Sequence, residues 1–152
     1  MKKIVIIILT LTLVYPIASA LAEKPELYTL EGKSIAYEQL ISSSKTVLFF
    51  WTTWCPSCVR EITKLNEENK DFGDVNLIYI NGDQNKKAVE RFIKTKNINK
   101  DIQNKIILDN NLYIAKKFSI FAIPTFIFLE NGQPVYKSYF ITSELLKDIF
   151  KD

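Results

Sequence analysis

Two cysteines, Cys55 and Cys58, stand two residues apart in the stretch "VLFFWTTWCPSCVREI", Val47 to Ile62, and the chain has no others. Thiols at that spacing can form a structural cross-link, contribute half of a metal site, or act as a dithiol that exchanges with other disulfides. The sequence contains no histidine. That removes Cys-His nucleophilic sites and zincin motifs, and Val59 stands where c-type haem attachment would need a histidine. A structural zinc site takes about four Cys or His ligands, and two are on offer. A staple gains little by closing so short a loop, because the entropy removed from the unfolded chain falls with loop size. Thiol-disulfide exchange is the use these residues suit.

That use depends on how the flanking elements hold the two sulfurs. "VLFFW", Val47 to Trp51, is an uninterrupted run of strand-forming residues, as in a strand buried on both faces of a largely parallel sheet. From Pro56 the period becomes helical, with Cys58, Ile62 and Leu65 on one face, and proline at a first helical turn needs no amide hydrogen. Cys55 therefore falls where strand meets helix, and unpaired amides there favour its thiolate. The expectation is an exposed attacking Cys55 and, one turn along, a shielded resolving Cys58.

The remaining pattern is that of an α/β domain. Leu27 to Ile35 read as a short hairpin turning at Glu31-Gly32-Lys33, followed by a brief helix at Tyr37 to Ile41. Val75 to Ile80 form a second apolar strand, and "NGDQN" leads from it into a helix carrying Ala88, Val89, Phe92 and Ile93. Lys94 to Lys105 read as a loop or frayed helix end, before a strand at Ile106 to Leu108 and a helical turn from Asn111 to Phe118. Thr125 to Leu129, "ENG" and Pro134 to Phe140 make an antiparallel hairpin, and Ser143 to Phe150 a closing helix. Within "FAIPTF", Phe121 to Phe126, proline directly precedes an apolar strand. A trans proline opening the strand is the commoner arrangement; a cis peptide would expose the backbone of Ile123 as a docking edge.

Residues 1–22 have a basic start, an apolar run from Ile4 to Val14 and small residues "ASALA", the layout of a signal peptide or, if uncleaved, an N-terminal anchor. Residues 23–152 are then one domain outside the cytoplasm, where disulfides persist. The net charge is +3, and removing Lys2 and Lys3 leaves about +1, which is no footprint for nucleic acid.

"FFWTTWCPSC", the distant "IPT" and "FIFLENGQPV" together resemble the thioredoxin fold. The signal-like start, "TLEGKSIAYEQL" and Glu61 resemble the TlpA/ResA-like branch of extracytoplasmic thiol-disulfide oxidoreductases of bacteria. The resemblance implies an α/β, thioredoxin-like three-layer fold: a central mixed sheet with a C-terminal antiparallel hairpin and flanking helices. It implies that Cys55 attacks, that Cys58 resolves, and that Pro124 is a cis-proline. Trp54, Pro56, Ile123 and Pro124 would meet substrate, and Trp51 would pack in the core. Phe49 occupies the place of the buried acid of ordinary thioredoxins, so Asp83 and Glu61 become the candidate proton acceptors for Cys58, with a solvated surface position the plainer expectation for each. The implied activity is reduction of protein disulfides without cofactor or metal. The implied partners are a disulfide-bearing client and a membrane thiol-disulfide electron donor, with the protein a monomer.

Two other functions fit the export signal and the fold: a disulfide-forming oxidase, and a non-catalytic module docking a partner at Ile123-Pro124. A peroxidase is disfavoured, because a P-x-x-x-T-x-x-C site ending at Thr52 and Cys55 would need proline where Leu48 stands.

Overall fold

The structure is a computed structural model and describes residues 26–68 and 72–151. The segment 1–22 lies outside the described residues. Among the described residues the elements follow in the order β1 (Leu27–Thr29), α1 (Tyr37–Leu40), β2 (Lys45–Trp51), α2 (Pro56–Glu68), β3 (Asn76–Asn81), α3 (Lys86–Thr95), α4 (Lys100–Asn104), β4 (Ile106–Asp109), α5 (Tyr113–Lys117), β5 (Thr125–Glu130), β6 (Gln133–Ser138) and α6 (Ser143–Ile149). The strands form one mixed sheet in the order β1-β4-β3-β2-β5-β6. β2, β3 and β4 run parallel, while β1, β5 and β6 pair antiparallel. Among the described residues no helix is long and apolar enough to cross a membrane.

β2 lies between β3 and β5, and its apolar run is buried on both faces because the sheet is covered on both. Val47, Phe49 and Trp51 pack with residues of α2, α3 and α6. Leu48 and Phe50 alternate to the opposite face, against residues of α1 and α5. Burying each such side chain contributes about 1.5–3 kcal/mol, so the strand that ends at the cysteines is anchored as firmly as any in the domain. The expected hairpin is present, and Asn131 and Gly132, with φ of 50° and 77°, form the left-handed two-residue turn that joins β5 to β6.

One expected segment differs. Lys94 to Lys105 is no loop, since α4 forms within it. Asn99 caps this helix by accepting the Ile102 amide at 2.9 Å, and Ile98 and Ile102 join the core. The short hairpin expected at the start is present, with the Thr29 amide donating to the Lys33 carbonyl at 2.9 Å and the Ile35 amide to the Leu27 carbonyl at 3.0 Å about the Tyr28–Ser34 bridge; what was not expected is that the other edge of β1 pairs antiparallel with β4.

Candidate active site

The carboxyl ends of β2 and β3 and the start of β5 meet at one end of the sheet, and the dithiol lies there. β2 delivers the chain through Thr52–Trp54 to Cys55, whose carbonyl accepts the Val59 amide at 2.9 Å and so begins α2. Cys55 Sγ accepts the Cys58 amide at 3.2 Å, the contact that a helix-capping side chain makes with the third helical residue. The Ser57 hydroxyl lies 3.4 Å from the same sulfur. Both contacts would stabilise a thiolate, and both partners are neutral.

Cys55 and Cys58 are joined as a disulfide with their Cα atoms 5.2 Å apart. Cys58 is fully buried and shares its helical face with Ile62 and Leu65. Cys55, expected to be exposed, retains only 5% of its surface, because Ser57 and Ile123 flank its sulfur. Ile123 supplies a carbonyl oxygen 3.8 Å from Cys55 Sγ, a contact that carries no proton while the disulfide is closed. The Ile123-Pro124 peptide is cis, and Thr125 Oγ1 donates to the Ala122 carbonyl at 2.7 Å across this turn. Trp54 is 71% exposed and Pro56 is exposed, while Trp51 is buried against Phe92 with ring centroids 5.2 Å apart.

Phe49, in the position where an acid might have stood, is fully buried. Its ring stacks on Phe126 at 4.4 Å, and its edge meets Tyr79 at 5.8 Å. The floor beneath Cys58 on this side is therefore apolar. Asp83 is buried, contrary to the solvated position expected for it, and accepts from the Thr53 amide at 2.7 Å, the Thr53 hydroxyl at 2.9 Å and Asn81 Nδ2 at 2.8 Å. The Asp83 amide donates back to Asn81 Oδ1 at 3.0 Å, and the Gly82 amide to the Trp51 carbonyl at 3.1 Å. These bonds tie the end of β3 to the loop that presents Cys55. Glu61 lies on α2 one turn beyond Cys58 and is half-buried.

Sequence reasoning missed Thr53, Asn81 and Ser57. The signal for the first two was the polar "NGD" directly after an apolar strand, since such residues at a strand end tend to bond local backbone.

The AhpC/TSA family pattern matches residues 19–143. The chain belongs to the AhpC/TSA family. Sporulation thiol-disulfide oxidoreductase A of Bacillus subtilis is 31% identical over 129 residues, covering 79% of this chain and 73% of that protein. Thiol-disulfide oxidoreductase ResA of Bacillus cereus is 31% identical over 112 residues, covering 71% of this chain but only 61% of its own length. The crystal structure of StoA from Bacillus subtilis superposes with a TM-score of 0.64 at 29% identity, covering 84% of this chain and 98% of the other. With its Cys-x-x-Cys pair, the chain stands among the thioredoxin-fold thiol-disulfide oxidoreductases of this ResA and StoA type, in agreement with the resemblance drawn from its motifs.

Proposed function

We propose that the protein reduces protein disulfides outside the cytoplasm of a bacterium, with Cys55 as nucleophile and Cys58 as resolving thiol. The observation that carries this reading is the placement of Cys55 Sγ on the Cys58 amide at the start of α2, with Cys58 fully buried behind it. In the reduced protein, the Cys55 thiolate attacks one sulfur of a client disulfide. A Cys55–client bond forms, the client disulfide breaks, and the departing client thiolate takes a proton. Cys58 then loses its proton and attacks Cys55 Sγ, the mixed disulfide breaks, and the second client thiol is released. Two electrons have passed to the client, and a membrane dithiol donor returns two to the Cys55–Cys58 disulfide. Trp54, Pro56, Ile123 and Pro124 form the edge that meets the client. Asp83 is engaged by Thr53 and Asn81, so it serves this reading as the group that positions the loop, and Glu61 is the carboxylate we assign to the Cys58 proton.

The residues that act on the thiolate support the reducing direction. A strong oxidant needs a heavily stabilised thiolate, and here Pro56 and Ser57 bring no charge between the cysteines, while the partners of Cys55 Sγ are an amide and a hydroxyl. Equilibration with glutathione tests this. A potential more negative than about −220 mV is expected, and one near about −120 mV would reassign the protein as a disulfide-forming oxidase.

A further inference from the structure

Seven of the chain's Lys and Arg residues fall within residues 86–105, the segment that forms α3 and α4, and all seven are exposed. Two carboxylates, Glu90 and Asp101, lie among them. The rest of the chain from residue 23 has the opposite balance, 11 cations against 15 carboxylates. The small net charge therefore conceals a basic face on an otherwise acidic domain.

The fold explains how that face is held. α3 turns Val89 and Phe92 into the core, where Phe92 meets Trp51, and Lys87, Arg91 and Lys94 recur at helical steps on the opposite side. Ile98 and Ile102 anchor α4 in the same way, leaving Lys100 and Lys105 outside. Lys86 pairs with Glu90 at 3.4 Å, and Glu31 after β1 is within electrostatic reach of Lys86 and Lys100. No carboxylate of the described residues pairs with Lys87, Arg91 or Lys94. Like charges at this spacing repel one another, a cost that an opposing layer of anions removes.

We propose that the α3–α4 face lies on the phosphate headgroups of an anionic lipid bilayer. Its cations sit on the outer sides of two helices, a shape that meets a broad layer of negative charge. The apolar run from Ile4 to Val14, where it is retained as an anchor, brings the domain to that layer, and a basic patch is the second attachment that stable anchoring by a weak first signal calls for. Each cation that reaches such a surface raises affinity about fivefold. α3 also starts beside the dithiol. Asn85 caps it two residues after Asp83, whose carboxylate accepts the Thr53 amide at 2.7 Å in the loop before Cys55. A domain resting on α3 keeps the cysteines close to the bilayer, where a membrane dithiol donor exchanges with them. The inference goes beyond the reductase reading and holds for either direction of electron flow.

The test is binding of the full chain to vesicles of phosphatidylcholine alone and of phosphatidylcholine with about three parts in ten phosphatidylglycerol. The N-terminal apolar run contributes to both, so the ratio of the two affinities reports the charged face. At about 50 mM salt the ratio is expected to be at least about a hundredfold, and at about 500 mM, where screening is far stronger, to fall below about fivefold. Lys87→Gln, Arg91→Gln and Lys94→Gln together should bring the low-salt ratio below about fivefold. Lys116→Gln, Lys117→Gln and Lys137→Gln remove the same charge from exposed positions on α5 and β6, and should leave the ratio within about threefold of the unaltered protein. A ratio near unity, a ratio indifferent to salt, or equal losses from the two triple variants would each overturn the proposal. So would tighter binding of soluble inorganic polyphosphate than of the anionic vesicles at equal phosphate, which would make a free polyanion the occupant. The salt dependence is read on the unaltered protein and needs no variant to fold. An oxidising potential in the glutathione experiment would end the reductase reading and leave this test standing.

Discussion

Replacing Asp83 with alanine removes the acceptor that joins β3 to the loop before Cys55. In the native protein this carboxylate receives the Thr53 amide at 2.7 Å and Asn81 Nδ2 at 2.8 Å, and Asn81 is fully buried. The Thr53 hydroxyl, 2.9 Å away, can turn to water, but the two nitrogen donors are left behind. An unsatisfied buried donor costs about 1–3 kcal/mol, and water reaches the half-buried Thr53 more readily than Asn81, so the loss is about 2–4 kcal/mol. For a domain of this size that lowers Tm by about 6–20 °C. Thermal unfolding of the oxidised protein, followed by circular dichroism, measures it. Asp83→Asn, which keeps one acceptor oxygen, should lose about half as much. A double-mutant cycle with Thr53→Val should return a coupling of about 1–2 kcal/mol, because the two residues bond directly. A Tm change below about 2 °C, or strict additivity with Thr53→Val, would refute the claim that Asp83 holds this loop.

Other substitutions probe separate parts of the account. Phe49→Leu should cost about 1–2 kcal/mol in urea unfolding, through loss of the ring stacked on Phe126, and leave the helix start intact. Asn99→Ala should cost about 1 kcal/mol by uncapping α4, read in the same assay. Burial raises the pKa of Asp109 above its ordinary value, against the α5 amides that act to lower it. Its contribution to stability is thus greatest below the unfolded-state pKa and is lost as pH rises through the folded one. The stability of the native protein relative to Asp109→Asn should accordingly decline from acid pH towards neutrality, as measured by unfolding at each pH.

Much of the site was legible because the signals were local. The apolar run of β2, the proline that opens α2 and the helical spacing of Cys58, Ile62 and Leu65 each depend on neighbouring residues, and each appears where the pattern put it. The Asn-Gly turn between β5 and β6 was equally plain. What escaped depended on distant contacts. β1 keeps its hairpin but joins the sheet by its other edge through β4, a partner about 80 residues away that no local pattern names. α4 is only five residues long in a polar stretch, and packing of Ile98 and Ile102 decides it. Asp83 looked like a surface charge because the donors that bury it, above all the Thr53 amide, lie 30 residues upstream. Cys55 looked open because the Ile123 carbonyl that covers it comes from a turn 68 residues on.

The central claim is the division of labour between the two cysteines, and trapping on single-cysteine variants tests it most directly. Reduced Cys58→Ser and Cys55→Ser are mixed separately with a peptide disulfide, and the covalent adducts are followed by intact mass. Cys58→Ser is expected to form a stable mixed disulfide on Cys55, while Cys55→Ser, left with a buried thiol, reacts at least about a hundredfold more slowly. Equal rates from the two variants, or faster capture on Cys58, would contradict the account.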